Sequence, residues 1–244
     1  MHIDVLPVFI GYDSRESEVA DVAKSSLIKN STFPLHVQFL KERPLRHSGL
    51  FCRKWRAENG QKFDVADGKP FSTEFSFSRF LVPALMQWEG WALFVDSDFV
   101  FMDDIAQLIP VLEASEDKAI VCCKQDYRPK TSVKMDGQVQ ENYYRKNWSS
   151  FMFFNCGHPA NKMLTVQSVN EEPGSWLHGF GWLEDNQIGN CDFTWNFIAG
   201  TTEGKPKAVH YTLGAPNFAH LQDVPFADEY RAEAKRIGVW GQPA

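Results

Sequence analysis

Hydrophobic positions along this chain come in two rhythms: short unbroken apolar runs, and stretches in which apolar residues recur every three or four places. Their alternation predicts strands and helices in turn. Residues 5–10 (VLPVFI), closed by Gly11, predict a buried first strand. Ser14 then stands as a helix cap, Arg15 and Glu16 open the helix, and Val19, Val22, Ala23 and Leu27 keep helical spacing until Asn30 stops it. Residues 37–40 predict a second strand. A helix is expected to begin at Ser72-Thr73-Glu74 and run through Phe75, Arg79, Phe80 and Leu81, with Pro83 kinking or restarting it. The five apolar residues 91–95 (WALFV) predict a strand buried on both faces. Further strands are expected at 119–123, 148–154 and 208–211, and helices at 160–169 and 228–236, the last polar and packed on the outside. Strands alternating with helices predict one α/β domain over residues 1–244, with a mostly parallel sheet covered on both faces. No repeat, low-complexity tract or linker divides the chain.

Composition narrows the class. Hydrophobic residues at 43% and charged residues at 23% are ordinary values for a globular protein with a sizeable core. The formal net charge of −6 argues against a sequence-blind nucleic-acid binder. Five cysteines, an odd and sparse set, read as reduced thiols in a cytoplasmic compartment rather than as a disulfide framework. No apolar run approaches the roughly 18 residues needed to span a bilayer, and residues 1–10 carry Asp4 and no basic n-region, unlike a signal peptide. Residues 41–56 are basic: Lys41, Arg43, Arg46, Arg53, Lys54 and Arg56 stand against Glu42 alone, either as a solvated loop or as one facing an anion.

Candidate chemistry concentrates where the most hydrophobic strand ends, at Asp96-Ser97-Asp98. Ligands of parallel sheets bind beyond the carboxyl ends of the strands. Side chains two apart on extended chain point the same way, so both carboxylates can face one hard cation that keeps open positions for diphosphate oxygens. This is the chain's one D-x-D. Two enzyme classes place such a pair after a strand: nucleotide-sugar transferases, and haloacid-dehalogenase-type phosphatases in which Asp96 would be the nucleophile. Against the second, about 95 residues precede the motif, and Asp103-Asp104 are too close in sequence to supply a second acidic pair. A binding protein that holds a nucleotide sugar without turnover is the third reading.

Several other segments resemble the GT-A glycosyltransferases, especially the family 8 type that includes glycogenin and bacterial galactosyltransferases. FIGYDSRE after the first strand looks like the nucleotide-binding opening, with Tyr12 and Asp13 near base and ribose. FSFSRFLVP resembles the family's Y-x-R-(F/L)-x-(L/I)-P helix, which points to Arg79 as a donor contact. Asp96 and Asp98 match the metal motif, with Ser97 between them at the donor. SFMFFNC resembles the strand ending in F-N-(A/S)-G, where Asn155 would meet the donor sugar. LEDNQIGN is similar to D-Q-x-x-x-N beside the anomeric carbon; its register leaves Asp185, Asn186 and Gln187 all as candidates. VHYTLGAPNF resembles H-(F/Y)-x-G-x-x-K-P-W, which makes His210 the third metal ligand and Gly214 a phosphate-facing glycine. The family lysine is replaced by Ala215 before Pro216, so the second phosphate needs another cation: Arg15, Lys124 or a lysine of the basic loop.

The resemblance implies a single-domain, Rossmann-like GT-A α/β/α sandwich, with a nucleotide-binding half over about residues 1–105 and an acceptor-side half over about 106–244. It implies a metal-dependent transfer of a hexose-type sugar from a nucleotide-diphosphate donor, UDP by default, to a glycan or other hydroxyl acceptor, with retention of configuration. Asp185 facing the acceptor as a general base would instead give inversion. Imidazole beside two carboxylates suits Mn²⁺ better than Mg²⁺. On the acceptor side, residues 124–148 carry six basic and three acidic residues and offer Tyr127, Tyr143, Tyr144 and Trp148 to an acceptor sugar, either neutral or anionic. Residues 176–182 (WLHGFGW) offer Trp176, His178 and Trp182 as a sugar-facing wall.

Overall fold

Alternate residues of the central strands feed two separate hydrophobic cores, and that division sets the architecture. The computed structural model describes residues 3–127 and 144–241. In chain order the strands are β1 (Leu6–Tyr12), β2 (Leu35–Lys41), β3 (Trp55–Glu58), β4 (Gln61–Asp64), β5 (Pro70–Phe71), β6 (Trp91–Val95), β7 (Phe99–Phe101), β8 (Ile120–Cys122), β9 (Phe151–Asn155), β10 (Ile188–Asn190), β11 (Phe197–Ile198) and β12 (Ala208–His210). Six of them form one sheet in the order β10-β8-β9-β6-β1-β2. Every neighbouring pair is parallel except those made by β9, which runs against both β6 and β8. The fold is therefore mixed α/β around a mostly parallel sheet, as the alternation of runs predicts.

On one face of the sheet, Phe9, Ala92, Phe94, Met152 and Phe154 pack against Phe75, Phe80 and the segment from Leu164 to Ile188. On the other, Val8, Ile10, Leu93, Val95 and Phe153 pack against Ala23 and Leu27 of the helix Ser17–Asn30 and against Ile105, Leu108 and Leu112. Burial on both faces is why β6 reads as an unbroken apolar run. Each large side chain so buried contributes roughly 1.5–3 kcal/mol. The outer side of the helix Ser17–Asn30 presents Val19 and Val22 to Tyr230 and Ala234 of the terminal helix Ala227–Arg236, with Val209 and Tyr211 filling the gap. Gly11 is required where it stands: a Cβ there would lie 2.5 Å from the Phe75 ring.

Several expected elements form differently. Asp13, not Ser14, caps the turn Ser14–Glu16 that precedes the first helix, while Ser14 Oγ donates to Glu74. The expected helix from Ser72 is a series of turns that becomes helical at Ser78–Leu81 and Val82–Leu85. The helix expected at 160–169 is two pieces, Pro159–Met163 and Val166–Glu171. The basic stretch is largely folded rather than an open loop, and four of its six cations have partners within the protein. It folds into a helix, Glu42–His47, and leads into β3 of a small antiparallel sheet, β3-β4-β5. Its cations find partners within the protein: Arg46 pairs with Glu42, Arg56 with Glu58, and Lys41 lies over the Tyr12 ring.

Arg53 is the buried member of that set. Its guanidinium makes a bidentate pair with Asp64 of β4 (3.0 and 2.6 Å), donates to Val169 O at 2.9 Å and lies 4.1 Å from the centre of the Phe77 ring. The two side chains are 2% and 1% exposed, so neither charge has water as an alternative partner. Arg53→Met strands the Asp64 carboxylate, and we expect a loss of about 3–5 kcal/mol in urea unfolding, with Asp64→Leu added to it restoring part of that loss.

Candidate active site

Strands far apart in the sequence meet at the acidic pair. β6 ends at Val95, Asp96-Ser97-Asp98 follow, and β7 pairs antiparallel with β12 in a register that sets Phe99 beside His210. Tyr211 N donates to Asp98 O at 2.9 Å, which closes the junction. One ligand atom each from Asp96, Asp98 and His210 lies within 4.8 Å of the others. The set of two carboxylates and one imidazole, gathered beyond the carboxyl end of a central strand, is chemically suited to a divalent cation.

The imidazole is held in one orientation. His210 is 2% exposed and stacks on Phe99 with ring centroids 4.3 Å apart. Its Nδ1 lies 2.8 Å from Asn196 Oδ1, an acceptor, so Nδ1 donates there and Nε2, 3.2 Å from Asp98, faces the acids. Asn196 is itself fully buried and donates to Asn147 O and to Ser150 Oγ, both at 3.0 Å. Sequence reasoning missed Asn196. Its only signal is an amide set between two aromatic residues, Trp195 and Phe197.

Arg79 steadies the first acid. It is buried, donates from Nη1 to Asp96 Oδ1 at 2.6 Å and to Ser149 O at 2.8 Å, and donates from Nε to Ser76 O. Its guanidinium lies over the Phe94 ring. Asp96 N in turn donates to Ser150 O, which ties the motif to the segment entering β9.

Two clefts meet at Asp96. The smaller, about 380 Å³, is lined by Arg15, Ser97, Asp98, Thr212 and Gly214. Gly214 sits there with φ of 128°, a backbone closed to most side chains. Tyr127 approaches this side, its hydroxyl 3.5 Å from Thr212 Oγ1. Arg15 is anchored by Asp13 through Nε and Nη2 and donates to Ser72 O. Burial pushes the Asp13 carboxyl up, but the hydrogen bonds and charge of Arg15 outweigh it and hold the group below the usual range. Asp13 is thus a buried support for Arg15 and for Glu74 N, while Tyr12 is half-buried at the end of β1 beneath Lys41. Lys124, the alternative cation, donates to Ile188 O and lies toward the Trp148 ring.

The larger cleft, about 720 Å³, is lined by Arg79, Lys146, Asn147, Ser149 and His178, with Asp67 and Lys69 opposite. Asn147 has a left-handed backbone (φ 66°), and its Nδ2 is buried with no hydrogen-bond partner among the described residues. Strain and an unpaired donor at a cleft wall mark a place prepared for a ligand. His178 Nδ1 lies 2.8 Å from Ser149 Oγ. Burial, with Arg79, Lys146 and Arg53 nearby, pulls its pKa well below the ordinary value.

Other candidates lie elsewhere. Asn155 falls at the far end of β9, paired with Trp91 at the start of β6, and donates to Glu116 O and Lys118 O. Because β9 is antiparallel, the residues before it, Asn147 to Ser150, face Asp96 instead. Asp185, Asn186 and Gln187 form a surface turn leading into β10 and line neither cleft. Asp185, 84% exposed, pairs with Arg145, and Gln187 Oε1 accepts from Glu184 N. Trp182 is a core residue whose Nε1 donates to Asn161, and Trp176 packs on it. Trp148 is half-buried, donating to Gln125 O with Arg145 over its ring, and Tyr144 is exposed. Tyr143 lies outside the described residues.

No family model matches this chain. Protein CDI of Arabidopsis thaliana is 44% identical over 245 residues, covering 94% of this chain and 88% of that protein. The chain belongs to the Protein CDI family. Solved structures with the same fold include the WbbM bifunctional glycosyltransferase (TM-score 0.62, 12% identity, 96% of this chain), GlyE from Streptococcus pneumoniae TIGR4 (0.58, 14%, 95%) and the galactosyltransferase LgtC with donor and acceptor sugar analogues (0.58, 13%, 98%). The chain spans 50% of the WbbM chain, 60% of GlyE and 98% of LgtC. This CDI-family member thus has the GT-A fold of these glycosyltransferases, and no described helix is long and apolar enough to cross a membrane. That fold does not support the phosphatase reading. Asp103 and Asp104, too close in sequence to supply its second acidic pair, take backbone and side-chain hydrogen bonds around the turn Ile105–Leu108.

His178 gives the site a pH signature. Its folded pKa lies below the unfolded value of about 6.5, so the unfolded chain takes up the proton first. Stability is therefore full above pH 6.5 and falls below it, by up to about 1.4 kcal/mol per pH unit. We expect His178→Gln to flatten that slope in denaturation curves collected from pH 5 to 8.

Proposed function

We propose that this protein is a divalent-cation-dependent glycosyltransferase moving a hexose-type sugar from a nucleotide-diphosphate donor, UDP by default, to a hydroxyl acceptor such as a glycan. The observation that carries the reading is the convergence of Asp96, Asp98 and His210 at the carboxyl end of β6, within a fold shared with GlyE and LgtC. In this reading Asp96, Asp98 and His210 hold Mn²⁺, or Mg²⁺ less well. When bound, the cation supplies Lewis acidity that neutralises charge on the departing diphosphate.

The chain's own residues do the rest. Gly214 admits the phosphates to the backbone, and Arg15, braced by Asp13, supplies the positive charge missing at Ala215. Arg79 keeps Asp96 oriented, Asn196 does so for His210, and Asn147 and Ser149 face the sugar in the place the sequence reading assigned to Asn155. Among the described residues the larger cleft has two carboxylates. Asp96 is held by Arg79, and Asp67 accepts from the backbone N–H groups of Lys69 and Gly174. Neither stands ready as a general base, which supports the retaining course that the family 8 resemblance implies. Asp185 to Gln187 are left outside the reacting centre in this scheme. The whole chain acts as one domain, with the nucleotide side in about its first 105 residues and the acceptor side in the remainder.

The test is a thermal-shift panel of UDP, GDP, CDP and dTDP with and without Mn²⁺, followed by mass-detected donor hydrolysis. We expect stabilisation by one diphosphate that needs the metal, and slow hydrolysis that Asp98→Asn abolishes. Metal-dependent binding without hydrolysis or transfer would leave a nucleotide-sugar binding protein, and no binding with or without metal would refute the proposal. Asn196→Ala, which frees the His210 ring, should weaken Mn²⁺ binding by about 10- to 100-fold in calorimetry while Asp96 and Asp98 remain.

A further inference from the structure

Three cysteines lie at the ends of two neighbouring strands, and two of them touch. The parallel pairing of β8 with β10 sets Cys122 beside Asn190, and Cys191 N donates to Cys122 O at 3.0 Å, so the pairing carries on to Cys123 and Cys191. Residues opposite one another on adjacent strands stand about 4.8 Å apart and point to the same face, a spacing that a disulfide can bridge. The two Sγ atoms are 3.3 Å apart, and both side chains belong to the core on one face of the sheet. Cys122 belongs to the core on the opposite face, where it does not compete for either thiol.

The two thiols differ in access. Cys123 is wholly buried, and burial, with Cys191 beside it, pushes its thiol well above the ordinary range. A thiol so placed does not react with solutes directly. Cys191 lies just past β10, an edge strand of the sheet only three residues long. Its neighbours Asn190 and Asp192 are exposed. A short edge strand opens at low cost; opening presents Cys191 to solvent, and reclosing returns it to Cys123.

The pair also stands at the root of the imidazole's support. Cys123 Sγ donates to Asp192 O at 3.3 Å, and Asp192 caps the turn Phe193–Asn196 by accepting from Thr194 N. Two residues beyond Cys123, Gln125 Nε2 donates to Asn196 O at 3.1 Å. Asn196 is the residue that receives His210 Nδ1–H. The chain segments leaving the two thiols therefore converge on one amide.

We propose that Cys123 and Cys191 are a thiol–disulfide modification site: a small disulfide such as oxidised glutathione joins them, and the new bond loosens the hold of Asn196 on His210. The Cys191 thiolate attacks oxidised glutathione, which forms a mixed disulfide and expels one glutathione thiolate. The Cys123 thiolate then attacks the Cys191 sulfur and expels the second. The protein gives up two thiol protons and two electrons, and one glutathione disulfide becomes two thiols. Joining shortens the Sγ separation from 3.3 Å to about 2.0 Å and removes the proton that Cys123 donates to Asp192 O. Asp192 follows Cys191 in the chain, so the cap of the turn shifts with it. The modification site stands on the thiol geometry alone; its effect on the cation rests on the glycosyl-transfer reading.

The experiment equilibrates the full chain, carrying Cys52→Ser to remove the exposed thiol, in buffers of reduced and oxidised glutathione. Peptide mass mapping reads the bond, and calorimetry reads the affinity for Mn²⁺. We expect a peptide pair linked through Cys123 and Cys191, lighter by two hydrogens, and Mn²⁺ binding weakened by about tenfold, both reversed by dithiothreitol. Cys122→Ser should change neither result. Cys191→Ser should abolish the link and keep Mn²⁺ affinity constant across the buffers; melting curves report whether it is folded, and Cys123→Ala serves if it is not. Absence of the linked pair under oxidising conditions overturns the inference. A linked pair with unchanged Mn²⁺ affinity, or a weakening that persists in Cys191→Ser, overturns the coupling to His210. Linkage in a protein that binds no Mn²⁺ when reduced overturns the glycosyl-transfer reading and upholds the modification site.

Discussion

The antiparallel register of β7 against β12 is the constraint on which the candidate site depends. It brings His210, 112 positions beyond Asp98 in the sequence, into contact range of that carboxylate. The register is held from both sides. Phe99 and Phe101 sit in the core beneath the sheet, and Val209 sits in the outer cluster with Tyr211 and Tyr230. A slip of one residue would turn His210 to the opposite face, because side chains alternate along a strand. The His210 ring stacked on Phe99 and its Nδ1–H bonded to Asn196 then leave one nitrogen facing the acids.

The reversed strand β9 is the second determinant. Running against β6 and β8, it starts where they end, so the turn before it arrives beside Asp96 rather than at the opposite edge of the sheet. Ser149 O and Ser150 O receive hydrogen bonds from Arg79 and Asp96 N, and Ser150 Oγ and Asn147 O from Asn196. One stretch of four residues thereby ties the acid, its arginine and the amide behind the imidazole into a single network. In the low dielectric of a buried site such a network is rigid when every member is satisfied, and its one buried amide donor without a partner, Asn147 Nδ2, lies on the cleft wall.

Charge is distributed with the same economy. Most cations of the basic stretch 41–56 are taken up by neighbouring acids or rings, the Arg53–Asp64 pair joining the small sheet to Val169. The terminal helix is fastened to the first by Glu233, which Ser25, Lys29 and Arg236 hold down to a pKa of about 2 although burial alone would raise it. The cations that line the clefts, Arg15, Arg79, Lys69 and Lys146, are scattered along the sequence.

The sequence alone determined the alternation of elements, the carboxyl-end position of Asp96 and Asp98, and the candidacy of His210, Arg79 and Gly214. The first two follow from a local rule, that an apolar run must be buried on both faces, and the candidacy of the last three rests on short motifs that resemble those of the GT-A glycosyltransferases. It also determined Trp91–Val95 as a strand to the residue. Only the tertiary structure decided which end of the strand Phe151–Asn155 faces the acids, because strand direction is set by pairing with distant neighbours and leaves no mark on the strand's own residues. That reversal sets Asn147 and Ser149, rather than Asn155, beside the acids. In the same way Trp182 proved a core residue and Arg53 a buried ion pair, since the partners Asn161 and Asp64 reach them only once the chain has folded. Asn196 carries no motif at all; its importance lies in what the fold sets beside it.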